Sequence, residues 1–421
     1  MSKSDWGFQS HVKPTLLISS LFLILFFYYI LNEKFRLWYI SIAFSLLYIH
    51  SFKKNTTIKP NINLLIFCTI SILTYTLSYY IFDRLEDLPT NKSLRTYKRI
   101  VNQYLWFITF LTLPTLFYYY KFTFRKFYTL VFIAVTITFL YVSYFNYTFN
   151  FSRNLLAIFF NPIITYDIGL ISLSILSLLY SFYLKEKKSY IFLLFSLLAM
   201  FSLILHGSRG TWLALPFIYT LILSSYYKQQ AKKCLTLLLA IFIFICINLI
   251  SPNSPLKSRI DHFNNDTSNI KENSYQNSTG IRLLLWKNGV ELFKTKPILG
   301  VGLYQIEENN CKLKMQAKIP QCFHHLHSIY FHELAANGLL GLLGLLTTLL
   351  LPFIYFIRNF SNTNLRLKLL SLSGTSFVFY FAVCGLTEYY LFFLNTTYLY
   401  FLITATLISF IQLEKMKIKL I

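Results

Sequence analysis

Apolar and polar positions come in long blocks along this chain rather than alternating residue by residue. Uncharged, aromatic-rich stretches recur between short charged segments. Twelve can be bounded, at roughly 14–31, 37–52, 63–82, 102–120, 127–147, 164–184, 188–206, 210–227, 233–250, 336–357, 367–387 and 392–412. A run of ~20 apolar residues crosses a bilayer as a helix, the form in which a single segment satisfies all its backbone groups internally. Barrel strands would instead alternate over ten-residue segments, which these do not. The pattern predicts an all-α polytopic membrane protein of about twelve transmembrane helices. One stretch breaks it. From Ser251 to Ala335 the sequence is polar and charged, with apolar runs too short to span. It predicts a large, partly helical loop between the ninth and tenth spans, dividing the chain into 1–250, 251–335 and 336–421.

Composition agrees, at 55% hydrophobic, 19% aromatic and only 13% charged residues over 421 positions. A formal charge of +23 would suit nucleic acid, but its distribution points elsewhere. The cations sit in short clusters between apolar runs, which is how topology is encoded. One alternating set of connections is short and basic: Lys3 and Lys13, Lys53/Lys54/Lys59, Lys121/Arg125/Lys126, Lys185/Lys187/Lys188, Lys228/Lys232/Lys233, Arg358/Arg366/Lys368 and Lys415/Lys417/Lys419. The other set is mixed in sign or nearly uncharged: Glu33/Lys34/Arg36, 83–101, 148–163, the Ser208–Arg209 turn, the large loop and the Glu388 turn. The positive-inside rule places the first set and both termini in the cytoplasm and the large loop outside, periplasmic in a Gram-negative inner membrane. Arg84, Lys92, Arg95, Lys98 and Arg99 in the 83–101 segment are an exception, and would suit lipid phosphates. The first apolar run, Pro14 to Leu31, lacks a small-residue cleavage site and reads as a retained helix. Cys68, Cys234, Cys246 and Cys384 lie in or beside apolar runs, as packing residues do. Cys311 and Cys322 both fall in the large loop and form a disulfide candidate if it lies outside the cytosol.

Three groups could do chemistry on that outer side. The first is His206-Gly-Ser-Arg-Gly-Thr-Trp212. An arginine at a membrane boundary faces protein, water or an anion, or snorkels to the interface. The flanking glycines let a ligand approach, and Ser208 or Thr211 could cap the next helix. The second is Ser278-Thr-Gly-Ile-Arg-Leu-Leu-Leu-Trp-Lys287, with Ser278 or Thr279 as N-cap and Leu284, Leu285 and Trp286 towards lipid. Arg282 sits in the first turn, where the helix dipole disfavours a cation unless an anion binds between them; a solvated surface arginine is the plain alternative. The third is Phe323-His-His-Leu-His-Ser-Ile-Tyr330. No suitably spaced carboxylate pair or CxxC accompanies these histidines, so no metal is expected. His327, just before a helical run, is placed to act as a general base, with a core or surface histidine as the plain reading.

Together with Lys296-Pro-Ile-Leu-Gly-Val-Gly302 and Asn337-Gly-Leu-Leu-Gly341, these motifs resemble the O-antigen ligase/polymerase superfamily, over roughly residues 190–350. The resemblance implies a GT-C-like membrane glycosyltransferase whose catalytic loop is the periplasmic segment. Its ligases move O-antigen or a related glycan en bloc from undecaprenyl pyrophosphate to lipid A–core oligosaccharide. It further implies that Arg209 and Arg282 hold the donor pyrophosphate and that His327 acts at the acceptor hydroxyl or steadies the phosphates. Ser208, His325 and Tyr330 are then substrate-side neighbours. Ser328 stands where the family often has Asn. Two guanidiniums can neutralise a pyrophosphate leaving group and position it, so a metal-independent, inverting transfer without cofactor is expected. The partners implied are the lipid-linked donor, the lipid A–core acceptor and membrane lipids, not nucleic acid. Between 251 and 327, ten Lys/Arg against six Asp/Glu would attract phosphates. The rival readings are a polymerase or protein oligosaccharyltransferase of the same superfamily, and a twelve-span secondary transporter, for which Asp167 is the chief intramembrane ionisable residue.

Overall fold

Among the described residues, six helices are long and apolar enough to cross a membrane, which identifies a polytopic membrane protein: Phe124–Thr148, Ile163–Tyr183, Ala231–Ile250, Ile329–Arg358, Leu365–Cys384 and Asn395–Ile418. They are seen in a computed structural model that describes residues 12–31, 38–52, 58–70, 105–160, 162–251, 254–271, 275, 277–361 and 363–419. Val12–Ile30, Trp38–Phe52, Ser189–Ile204, Leu215–Tyr226 and Leu113–Tyr119 are shorter apolar helices. A helix over 62–70 begins the third expected span; the rest of that span and the basic 83–101 segment lie outside the described residues. Among the described residues there is no strand.

Ile163–Tyr183 is the axis of the bundle and is buried along nearly its whole length. It packs against Phe124–Thr148, Ser189–Ile204 and Leu365–Cys384. Its serines explain how it fits. Ser172, Ser174, Ser177 and Ser181 are all buried and small, so neighbouring backbones approach closely, as membrane helices must when lipid gives no hydrophobic drive to association. Ser172, Ser174 and Ser181 return their hydroxyls to carbonyls of their own helix, and Ser196 donates to Ser177 across the interface (2.8 Å). Ala231–Ile250, by contrast, is mostly exposed along its apolar window, as a lipid-facing helix would be.

The connections sort by end. At one end Lys233 Nζ donates to the last carbonyls of the central helix, Ser181 O (2.8 Å) and Leu184 O (2.5 Å). There too Lys368 Nζ donates to Ser225 O and Arg366 pairs with Glu414 (3.1 Å). Cations thus complete carbonyls that the helix C-termini leave unpaired. Among the described residues, the Arg209 turn, the polar stretch after Ser251 and the Glu388 turn meet one another.

The polar stretch after Ser251 folds into three helices, Pro255–Lys271, Ser278–Thr295 and Gly302–Met315. Leu285, Leu292, Val301, Ile306, Ile319 and Leu326 form a small core of their own, joined to Ala335 and Ala336 of the next helix. Leu285 is therefore buried inside the loop rather than turned to lipid, and Leu283 is the exposed leucine. Cys311 and Cys322 are disulfide-bonded across this loop, with Cα atoms 4.5 Å apart.

The span expected from 336 begins earlier, at Ile329, and is broken at Gly338 (φ 62°, ψ −155°). The Pro297–Val301 turn fills that break. Val301 N donates to Ala335 O, Leu339 N to Pro297 O and Leu340 N to Ile298 O, at 2.9, 2.9 and 3.3 Å. Backbone groups released by the break are thereby satisfied, which burial demands. Only glycine suits both sides of the joint. A Cβ at Gly338 would meet the Ile298 carbonyl carbon at 2.5 Å and Gly300 N at 2.7 Å, and one at Gly300 (φ 77°) would meet Asn337 N at 2.5 Å.

Candidate active site

The turn from Cys384 to Tyr389 touches every segment that the sequence singled out. Its Gly385 carbonyl accepts from Ile329 N (2.9 Å) and Ser328 Oγ (3.3 Å), fixing the start of the histidine-bearing helix. Its Thr387 carbonyl accepts from Arg282 Nε (3.3 Å). Thr387 also packs so closely on Gly210 that its side chain occupies the space a Cβ would need.

Arg209 is held by two layers beneath it. Asp167, fully buried, accepts from Ser208 Oγ (2.6 Å) and pairs with His206 Nδ1 (2.7 Å). Arg153 Nη1 donates to the His206 carbonyl (2.5 Å) and lies 3.4 Å from Ser208 Oγ. Arg209 itself pairs with Asp266 Oδ2 (2.9 Å), which also accepts from Thr279 Oγ1 (2.8 Å). Neither expected cap forms on the membrane helix that follows: Ala214 is its N-cap, and Thr211 Oγ1 donates to Ser208 O within the short 3-10 turn. Proline in its first turn starts that helix instead. In the loop the cap of Ser278–Thr295 is Asn277, whose side chain accepts from Gly280 N (2.7 Å), and not the expected Ser278 or Thr279 that follow it. Ser278 is then free to hold Arg282, its Oγ and carbonyl accepting from Nη1 at 2.7 and 3.1 Å.

The histidines converge on a carboxylate that the sequence treats as a mere turn residue. Glu388 Oε1 lies 3.5 Å from His327 Nδ1 and 4.0 Å from His325 Nε2, and Tyr389 N donates to the same oxygen (3.1 Å). Burial would raise the Glu388 pKa, but His327, His325 and Arg282 outweigh it and hold the carboxyl down at about 2. Burial, more than its neighbours, lowers His325 to about 4, so this imidazole is neutral near pH 7. His327 has φ 50°, a left-handed conformation unusual for histidine and held here by its surroundings. Burial also lowers Arg282 from its ordinary value, with Glu388 opposing the shift, Arg209 adding to it and Asp266 opposing. The two arginines and the two histidines therefore share one electrostatic site. Tyr330 is adjacent, its hydroxyl donating to Ala382 O (2.8 Å). His324 turns away to Glu307 (2.8 Å).

The absence of a nearby carboxylate in sequence does not hold in space. His325, His327 and Glu388 offer ligand atoms within 4.8 Å of one another, a spacing that could hold a cation. The hydrogen bonding works against it. His327 N donates to His325 Nδ1 (3.2 Å), which assigns the proton of neutral His325 to Nε2, the nitrogen facing Glu388. Metal-bound histidines usually donate their second nitrogen outward instead of accepting on it.

Residues 191–346, which contain the Arg209 turn, the Arg282 helix and the histidine run, match the model of the O-antigen ligase family. The chain carries a domain of the O-antigen ligase superfamily. It is 32% identical over 224 residues to an uncharacterized protein of Haemophilus influenzae, covering 51% of this chain and 56% of that one. It is 26% identical over 199 residues to an O-antigen ligase of Escherichia coli K12, covering 45% and 46%. The chain thus spans about half the length of the curated relatives it matches. Glu388 lies beyond the matched segment, yet it sits against His325 and His327 of that segment. The signal that could have found it is an acidic residue alone in the last turn between apolar runs, next to two tyrosines.

Proposed function

We propose that this protein transfers a glycan en bloc from a polyprenyl pyrophosphate carrier to a sugar hydroxyl of lipid A–core oligosaccharide, at the outward face of the cytoplasmic membrane. One observation carries the reading. Arg209 and Arg282, far apart in sequence, lie in one electrostatic neighbourhood with His327 and His325 at the end of the bundle where the mixed-charge connections meet. The superfamily domain supports the reaction class, and the Cys311–Cys322 bond suits an oxidising compartment.

In this reading the guanidiniums take the pyrophosphate oxygens, a planar fork matched to an oxyanion and permanently charged. The acceptor hydroxyl attacks the anomeric carbon from the face opposite the pyrophosphate. The new C–O bond forms as the bond to the pyrophosphate oxygen breaks, and the configuration inverts. Nδ1 of His327 lies on the Glu388 side, 3.5 Å from its carboxylate, and Nε2 is the nitrogen that takes the hydroxyl proton. Ser208 spends its hydroxyl on Asp167, so its part is to aim Arg209. Both Asp167 oxygens are committed to His206 and Ser208, which leaves little support for a transport role.

The test uses the full-length purified protein with a lipid-linked glycan donor and core acceptor, read as a gel shift. Arg209→Ala and Arg282→Ala should each lose about 100-fold or more, the usual cost of removing one group that stabilises developing charge. Wild-type transfer by both variants would end the donor-site assignment. EDTA should leave the rate unchanged, and inhibition reversed by a divalent ion would reassign the His325–His327–Glu388 set. A product carrying added repeat units without core would favour a polymerase.

A further inference from the structure

We infer that Arg259 is a third anion-binding arginine of this site, reaching the same phosphate-bearing ligand as Arg209; the inference rests on the donor reading above. Arg259 comes from the Pro255–Lys271 helix and lies across Gly207 (φ 74°), its Nε and Cδ filling the place a Cβ would take, with Cδ 3.1 Å from it. Nearby guanidiniums each have an evident tether. Arg209 pairs with Asp266, Arg153 with the His206 carbonyl, and Arg282 with Ser278 and the Thr387 carbonyl. Among the described residues, no carboxylate or hydrogen-bond acceptor engages Arg259.

Its nearest electrostatic influence is another cation. Burial first, then Arg209, lowers its pKa from the ordinary arginine value, while the group stays charged near neutral pH. Arg153 feels Arg259, Arg282 and Arg209 together, so the guanidiniums form one basket. A half-buried guanidinium that feels a second one, with no carboxylate bonded to it among the described residues, is unfavourable on its own. An anion with several oxygens, such as a diphosphate, reverses the sign by bridging the two. Gly207 then has a specific reason to be glycine, because its bare α-carbon gives Arg259 a channel to that position.

The experiment compares Arg259→Gln and Arg259→Lys in the full-length enzyme, with Arg282→Ala alongside. The donor KM should rise about 10-fold in Arg259→Gln, the scale of one charge-assisted hydrogen bond. The kcat should change less than about 3-fold, and Lys should restore most of the KM because it keeps the charge. Inhibition by inorganic pyrophosphate should weaken by a similar factor in Arg259→Gln. A merely structural role would move kcat, stability and both substrates' KM values together, and that result overturns the inference. So does an unchanged donor KM and pyrophosphate inhibition while Arg282→Ala is inactive. If Arg282→Ala is itself fully active, the donor reading has failed instead.

Discussion

Replacing Gly338 by alanine should unfasten the Pro297–Val301 turn and the loop that carries it from the membrane bundle. The backbone there (φ 62°, ψ −155°) is a region that L side chains rarely enter, with a cost of order 1–3 kcal/mol. The added methyl would also meet the Ile298 carbonyl carbon at 2.5 Å and Gly300 N at 2.7 Å, backbone atoms that cannot rotate away. Relief requires the Pro297–Val301 turn to back off, which breaks up to three backbone hydrogen bonds worth about 1 kcal/mol each. With one to three of those bonds lost the sum is about 2–6 kcal/mol, concentrated at one joint. Hydrogen exchange on the protein in detergent reads it directly: opening made easier by ~3 kcal/mol speeds exchange at Val301 and Leu339 by about two orders of magnitude. Transfer activity should fall with it, because the Ile329–Asn337 segment above the break carries the helix start that follows His327. Leu340→Ala, at the same joint but half exposed, removes no backbone group and should stay within about 0.5 kcal/mol. Unchanged exchange in Gly338→Ala would refute the reasoning.

Asp167→Ala should cost about 3–5 kcal/mol, since it leaves His206 and Ser208 without their buried acceptor, and should raise the donor KM; Asp167→Asn should be milder, and equal amounts of folded, fully active Asp167→Ala protein would contradict it. Acid should loosen the site in two steps. His325 has a folded pKa of about 4, below its unfolded value, so the unfolded chain binds the extra proton and stability falls as pH drops from about 6.5 towards 4, by up to ~3 kcal/mol. Glu388, held at about 2, adds a loss between its ordinary range near pH 4.5 and pH 2; thermal melts across pH 3–8 that stay flat would disprove both. Reducing Cys311–Cys322, which closes a short loop, should cost about 3 kcal/mol locally, seen as faster exchange around Gly302–Met315 with the membrane helices unaffected.

Hydropathy located the helices well because bilayer thickness sets their length: the spans expected at 127–147, 164–184 and 233–250 appear as Phe124–Thr148, Ile163–Tyr183 and Ala231–Ile250. It could not show the break at Gly338, since apolar residues continue on both sides and the determinant is a partner turn some forty positions earlier. Arg209, Arg282 and His327 stood out because charge at a membrane boundary is costly and so conspicuous. Of their counterparts only Asp167 did, and then as the ionisable residue of a transporter reading. Asp167, Arg153, Asp266 and Glu388 lie in other segments, and only folding reveals which cation each carboxylate restrains. The orientation of the Ser278–Thr295 helix was misread for a related reason: Leu285 looks lipid-facing by periodicity, but the loop holds its own small core.

The Cys384–Tyr389 turn bears on how the protein is made. Membrane helices are inserted as the ribosome delivers them, so the arginines and histidines are in place well before Glu388 and the Gly385 carbonyl exist. Until the final hairpin is threaded, the Ile329 amide has no acceptor and His327 faces no carboxylate. A nascent chain halted before residue 384 would therefore hold Arg209, Arg282 and the histidines and still lack the turn that clasps them together, so the cluster closes last.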